Sequence, residues 1–337
     1  MEKAFDNKKY LKKEYFELKK RMKQFEKNYI EIGGHLLRDE HAKRVLPGYD
    51  TKNKLKLIKK LKNTGFVYCI NANTLDKGKT WGNTTKTIEE ISLREIELLK
   101  KEGLELLCIV LSLFNNKKKS VLFKKKIEKK GYFVLTTKKI VGYPKNLRNL
   151  FGKNGFITQP FLETNKKNII VTGVGANSGK LFFCLSQIFY LTKKNVNAGY
   201  IKIETFPVWN LPLKHEVNLA YEAATADIQD KLVLDNFHKK KYKINSVNYN
   251  RDIEAFSVLK KVIFKITSKK NSMRNYFSPT DMGINFIKNG FINGKKIRIA
   301  SRKEIFRRKK NFSKKFLKKQ VGKKTIKRME EIIKKLE

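Results

Sequence analysis

Residues 168–191 read NIIVTGVGANSGKLFFCLSQIFYL, and the folding of this stretch decides the architecture. Ile169, Ile170 and Val171 form a short apolar run, glycines follow at 173, 175 and 179, and an apolar helix is expected from Lys180. Strand, glycine turn and helix in that order make a unit that cradles phosphate. The glycines let the backbone come close, and the helix start offers N–H donors at the positive end of its dipole. Lys180 would add a point charge, and Ser178 a hydroxyl contact. A Walker A loop is spaced G-x-x-x-x-G-K-[ST]. Here the position five before Gly179 is Val174, and Leu181 replaces the hydroxyl that would hold magnesium. The turn is P-loop-like without matching a P-loop. Two readings stay open: a phosphate cradle, or a tight strand-to-helix connection with an incidental lysine.

Upstream, residues 6–27 place Tyr10, Leu11, Phe16, Leu18, Met22 and Phe25 on one broad face behind an N-cap at Asp6, which predicts an amphipathic helix. Strands are expected over 29–32, 66–70, 104–114 and 132–136, helices over 55–61, 88–101 and 117–130, and polar loops over 35–50 and 71–83. Residues 142–165 lack periodicity and carry Pro144, Gly152, Gly155 and Pro160, which marks a crossover or boundary. Downstream, a strand is expected over 199–204, helices over 216–228, 252–267 and 279–287, and two basic helices over 302–337. The alternation of strand and helix implies an α/β class: Rossmann-like, mostly parallel sheets with helices on both faces, and a helical C-terminal segment. The domain reading is an N-terminal α/β unit at 1–150, a second α/β unit carrying the glycine turn at 166–300, and basic helices at 301–337.

The chain has 337 residues, 40% hydrophobic and 11% aromatic, enough for a sizeable core. Its 77 Lys and Arg against 31 Asp and Glu give a net charge of +46, which raises nucleic acid or another polyanion as a partner. Compositional drift is preferred. Lysine is enriched together with Asn, Ile and Phe, and the runs at 117–119, 124–126 and 239–241 do not alternate with exposed aromatics. Cys69, Cys108 and Cys184 are odd in number and sit in apolar runs, which suits reduced core thiols rather than a disulfide framework. The start, MEKAFDNKKYLKKEYF, has no apolar signal region, and the longest apolar run, 104–114, is too short to span a membrane. A soluble, cytoplasmic protein is expected.

Ligands of open α/β sheets sit outside the carboxyl ends of the strands. Lys180, Glu204 and Thr205 would then face one crevice if their strands are neighbours. After Glu204 a proline-rich loop carries Trp209, Asn210 and His215, and the following helix presents Glu222 and Asp227. Glu204 could hold magnesium through water or orient a nucleophile, so Glu204, Asp227 and His215 are the candidate catalytic groups. Arg251 is a candidate phosphate or carboxylate clamp, while Asp252 serves equally well as an N-cap or a ligand contact. Ser278 to Gly283, SPTDMG, is as good a helix start as a site. His35 and His41 are six apart and do not share a helical face, so a zinc pair is not expected. His41 with Arg44 could contact an anionic ligand.

The segments FDNKKYL (5–11), RVLPGYD (44–50), KIETFPVWNLPLKHEVNLAYEAATAD (202–227), VNYNRDIE (247–254) and SPTDMG (278–283) resemble a bacterial family catalogued as domain of unknown function 1846. The likeness runs over essentially the whole chain. The family turn also carries S-G-K, as Ser178, Gly179 and Lys180 do here, usually with prolines where Val174 and Ala176 stand. His35 departs from the residue expected there. The resemblance implies a cytoplasmic bacterial protein with a Rossmann-like, P-loop-like core, and members that continue into a further small C-terminal domain, which this chain is expected to lack. It supplies no activity. Gly199, Tyr200 and Lys202 after the turn are also similar to dethiobiotin-synthetase-type ATP-dependent enzymes, which work around a loop lysine and magnesium.

The expected function is binding of a nucleotide, ATP or another with magnesium, through Gly173, Gly175, Ser178, Gly179 and Lys180. Thr205, Asn210 and Arg251 would shape the second substrate's pocket, and the chemistry would be ATP-dependent or phosphoryl transfer. The alternatives are a non-catalytic metabolite-binding or assembly protein and a polyanion-binding protein. The expected partners are a small phosphorylated ligand and further copies of the chain in a homo-oligomer, with no membrane.

Overall fold

The computed structural model describes residues 3–80, 85–144, 146–175, 177–318 and 320–336. Ala176 of the glycine turn and residues 81–84 of the expected polar loop lie outside the described residues. In chain order the first part of the fold is α1 (Asn7–Met22), β1 (Lys27–Ile32), α2 (Glu40–Val45), α3 (Asn53–Lys59), β2 (Thr64–Asn71), α4 (Ala72–Asp76), α5 (Ile88–Lys101), β3 (Leu106–Ser112), α6 (Lys118–Lys129), β4 (Val134–Thr136) and α7 (Leu147–Phe151). Then follow β5 (Asn168–Gly173), α8 (Lys180–Lys193), β6 (Ala198–Ile203), α9 (Glu216–Ala224), β7 (Leu232–Leu234), α10 (Asn236–Tyr242), β8 (Val247–Tyr249), α11 (Asn250–Ile266), β9 (Gly283–Ile284), α12 (Gly294–Leu317) and α13 (Lys323–Lys334).

Several helices start where capping chemistry dictates. Asp6 accepts from the Lys9 N–H ahead of α1. Thr87 and Glu90 form a reciprocal capping box ahead of α5, so that helix holds the bounds its pattern predicts.

A seven-stranded sheet runs in the order β4-β3-β2-β5-β1-β6-β9, with every neighbouring pair parallel. Its central strands are near-continuous apolar runs because both faces are covered. Side chains of β6 show the two faces by alternation. At Gly199 an added Cβ would meet the Phe25 ring just beyond α1, whereas Tyr200 and Lys202 reach Glu31 and Asp252 on the side of α8 and α11. The stretches 1–150 and 166–300 share this one sheet, because β5 inserts between β1 and β2, with Ile170 level with both Ile30 and Phe66. A second apolar core lies where α2, α9, α12 and α13 pack together, built from residues such as Val45, Phe206, Val217, Ile305 and Met329.

The structure departs from expectation in short elements. Residues 279–287 do not form a helix. Thr280–Met282 and Ile287–Gly290 are 3-10 turns around β9, which pairs Ile284 with Ile203. Gly283 is extended there, and the Trp209 ring covers it so closely that a Cβ would lie 2.3 Å from the indole. The expected loops at 35–50 and 71–83 contain α2 and α4, and the antiparallel pair β7–β8 was not foreshadowed. The first C-terminal helix begins at Gly294, ahead of the expected 302.

The insertion of β5 leaves no room at its end. A Cβ on Gly173 would sit 2.1 Å from the Cys69 carbonyl oxygen. Gly173→Ala is expected to lower stability by about 1–3 kcal/mol, the usual cost of overpacking, read as a fall in the urea midpoint at unchanged slope.

Candidate functional site

The carboxyl ends of β1, β5 and β6 carry a linked set of buried and half-buried charges. The glycine turn leaves β5 with Gly175 at φ 72° and Gly179 at φ 88°, left-handed values that suit glycine. Neighbouring strand ends hold it in place: the Asn71 side chain donates to the Asn177 carbonyl at 2.9 Å, and Ser112 packs where a Gly179 side chain would be. Lys180 opens α8, and its ammonium arches back to the Gly175 carbonyl and the Ser178 hydroxyl, each at 3.3 Å. The same nitrogen lies 3.8 Å from Glu31 Oε1.

β5 and β6 are not neighbours; β1 lies between them, and Glu31 on β1 is the bridge. Glu31 accepts from the Tyr200 hydroxyl at 2.8 Å on the β6 side. Two residues on, Lys202 sits between two carboxylates, 2.8 Å from both Glu204 Oε1 and Asp252 Oδ2. Arg251 continues the chain, 3.3 Å from Asp230 Oδ2 and 3.8 Å from Asp252 Oδ1. Tyr249 lies under both Lys202 and Arg251, with Tyr221 against it. Gly33 ends β1 without a side chain because Glu204 occupies that space, 2.7 Å from where a Cβ would be.

Burial opposes the charge on Lys202, but Asp252, Glu204 and Glu31 outweigh it and keep the ammonium above its ordinary range. Glu204 moves up, because burial and the nearby Asp252 exceed the pull of Lys202. One ammonium shared by two carboxylates leaves a surplus negative charge, and Glu204 is where a proton is best held. Burial also raises Asp230 against the pull of Arg251.

The other residues singled out from sequence lie elsewhere. Thr205 turns to the opposite side and donates to Asp39 Oδ2 at 3.0 Å. His215 caps α9, accepting from the Val217 N–H at 3.2 Å, and burial lowers its pKa. Asn210 is exposed and offers only its carbonyl to Lys288. Asp227 is exposed on the 3-10 turn Ala226–Ile228. Asp252 is not an N-cap: it lies in the first turn of α11 and binds Lys202. Among the described residues no group of three or more His, Cys, Asp or Glu is placed to hold a metal ion. The three cysteines are unpaired and buried, and burial pushes the Cys69 thiol up to about 12, so it stays protonated.

Behind the strand ends lies a second polar layer. Lys54 is buried, 2.7 Å from the Gly33 carbonyl and 3.0 Å from Asp39 Oδ2. Burial acts to raise Asp39, but Lys54 and the Ala42 N–H prevail and hold it at about 2.

Residues 3–337 match the family model "Domain of unknown function DUF1846, N-terminal". The chain belongs to this family. It is 42% identical over 306 residues to a UPF0371 protein of Clostridium botulinum (strain Alaska E43 / Type E3), covering 90% of this chain and 60% of that protein. A UPF0371 protein of Clostridium tetani is 40% identical with the same coverage, and one of Clostridioides difficile (strain 630) is 40% identical over 337 residues, 67% of its length. The chain thus spans 60% of the length of the first of these relatives. No described helix is long and apolar enough to cross a membrane.

Next to the Asp39–Lys54 layer, Glu14 on α1 is fully buried and accepts from the Phe286 N–H at 2.7 Å. Burial pushes its carboxyl from 4.5 to about 8 against the pull of that N–H and of Lys54. The folded state therefore holds a proton that the unfolded chain releases, and the contribution of Glu14 to stability is lost as pH rises from 4.5 through about 8. Glu14→Gln is expected to remove this part of the pH dependence and to be more stable than the parent above pH 8. Urea melts of both proteins across that range check it.

Proposed function

We propose that the carboxyl edge of the sheet binds a phosphorylated small molecule, a nucleotide being the class that fits best, and that the protein uses it in ATP-dependent or phosphoryl-transfer chemistry. The observation that carries this reading is Lys180. It starts a helix after a left-handed glycine turn, and its ammonium is folded over that turn beside Glu31. A helix start and a lysine aimed at one place form an anion site.

The surrounding groups suit transfer chemistry, which is mostly positioning and charge neutralisation. Lys180, Lys202 and Arg251 supply positive charge, and Glu204, held toward its neutral form, can give or take a proton. Leu181 offers no hydroxyl for magnesium, so in this reading the ion arrives with the nucleotide and the protein neutralises phosphate with its own cations. In this reading Glu204 assists proton transfer and Arg251 clamps phosphate, whereas His215 caps a helix, Asp227 lies on the surface and Asn210 makes a loop contact. A cytoplasmic setting goes with this ligand class and with the unpaired thiols.

Calorimetric titration with ATP, GTP and NAD, with and without magnesium, tests the reading. At least one ligand is expected to bind, and Lys180→Ala is expected to weaken it by about tenfold to a hundredfold, the worth of a hydrogen bond to a charged group. Absence of binding by the parent, or equal binding by a folded Lys180→Ala, sinks the proposal. Binding without turnover of ATP would identify a non-catalytic ligand-binding protein.

A further inference from the structure

Where α2 meets α12, on the far side of the aromatic layer formed by Phe206, Tyr221 and Tyr249, three arginines converge on one carboxylate. Arg44 Nε donates to both oxygens of Glu304 at 3.1 Å. Arg307 donates from Nε at 2.5 Å and Nη2 at 2.7 Å, and Arg308 from Nε at 2.8 Å. Glu304 is 1% exposed, while the side chains of Arg44, Arg307 and Arg308 remain 34%, 42% and 23% exposed. His41 completes the wall, its Nδ1 3.5 Å from Glu304 and its ring edge on Phe206 and Tyr221.

The arrangement is more than a structural ion pair requires. Like charges held this close repel, and one carboxylate compensates only one of three guanidinium groups. Burial lowers the pKa of Arg308, and Arg307 and Arg44 lower it further. A guanidinium has five N–H donors. Among the described residues, the Nη groups of Arg44 and Arg308 meet no hydrogen-bond acceptor, although they lie beside each other's charge at the surface. Two uncompensated positive charges and two free forks match a tetrahedral dianion, whose oxygens take such forks in pairs.

We propose that Arg44, Arg307 and Arg308, gathered on Glu304, form a second anion site that takes a dianionic phosphoryl group. It is distinct from the glycine turn, and the two sites stand or fall separately because Lys180 has no part in this one. The source of the phosphoryl group is either free phosphate or a phosphomonoester.

The test is calorimetric titration of the full chain carrying Lys180→Ala with inorganic phosphate, glycerol 3-phosphate and acetate at pH 8. Phosphate or glycerol 3-phosphate is expected to bind at least about tenfold more tightly than the monoanion acetate, since a dianion's second negative charge meets the second uncompensated guanidinium. Binding of phosphate assigns the free ion, and binding of the ester alone assigns an organic phosphate. Adding Arg307→Gln and Arg308→Gln is expected to weaken binding by about tenfold or more. If that protein does not fold, Arg44→Lys keeps the charge, removes a fork and is expected to weaken binding by about threefold to tenfold. No binding of either phosphate, or binding unchanged in the folded arginine variants, overturns the proposal.

Discussion

A half-buried ammonium stays charged when carboxylates flank it, and Lys202 shows what that requirement does to this fold. Its position on β6 puts it on the sheet face covered by α8 and α11, so its partners must come from the strand itself and from the helix above. Glu204 supplies one and Asp252 the other, which fixes the start of α11 over the end of β6. Glu31 joins this group to Lys180 across β1. Removing Lys202 would leave Glu204 and Asp252 without their shared cation, a cost of about 3–5 kcal/mol. The glycine turn, three strand ends and a helix are thereby tied by one chain of ion pairs and a tyrosine hydrogen bond.

The net charge of +46 is a weaker guide than the placement of a few cations. Exposed lysines, such as Lys52 and Lys59 on Glu102, make surface pairs that contribute about 0–1 kcal/mol each. Lys54, Lys180 and Lys202 are different because their ammonium groups are aimed at carbonyls and carboxylates near the strand ends. The arginines on Glu304 differ again: their forks remain partly unused at the surface.

Much of the fold was legible in the sequence. The apolar runs of β1, β2, β3, β5 and β6 and the glycine turn are local signals, and the capping box at Thr87 and Glu90 places α5 to the residue. The order of strands was not legible, because the pairing of β5 with β1 and β2 spans more than a hundred residues and leaves no local mark. β9 has two residues and β7 and β8 three each, too few for any period to emerge. In the candidate site, Lys180, Glu204 and Arg251 stood out, and Asp252 was ambiguous because an acid near a helix start reads as a cap. Glu31 was missed; an acid inside the run YIEI was its signal. His215 attracted attention by type, yet it lies at the start of a helix and caps it.

The turn between β5 and α8 is proposed as a phosphate site. A crystal structure of the protein soaked with ATP and magnesium tests it most directly. Phosphoryl density is expected within hydrogen-bond reach of Lys180 Nζ, with the Glu31 contact loosened or replaced. An ordered nucleotide bound elsewhere, with nothing over the turn, would contradict it.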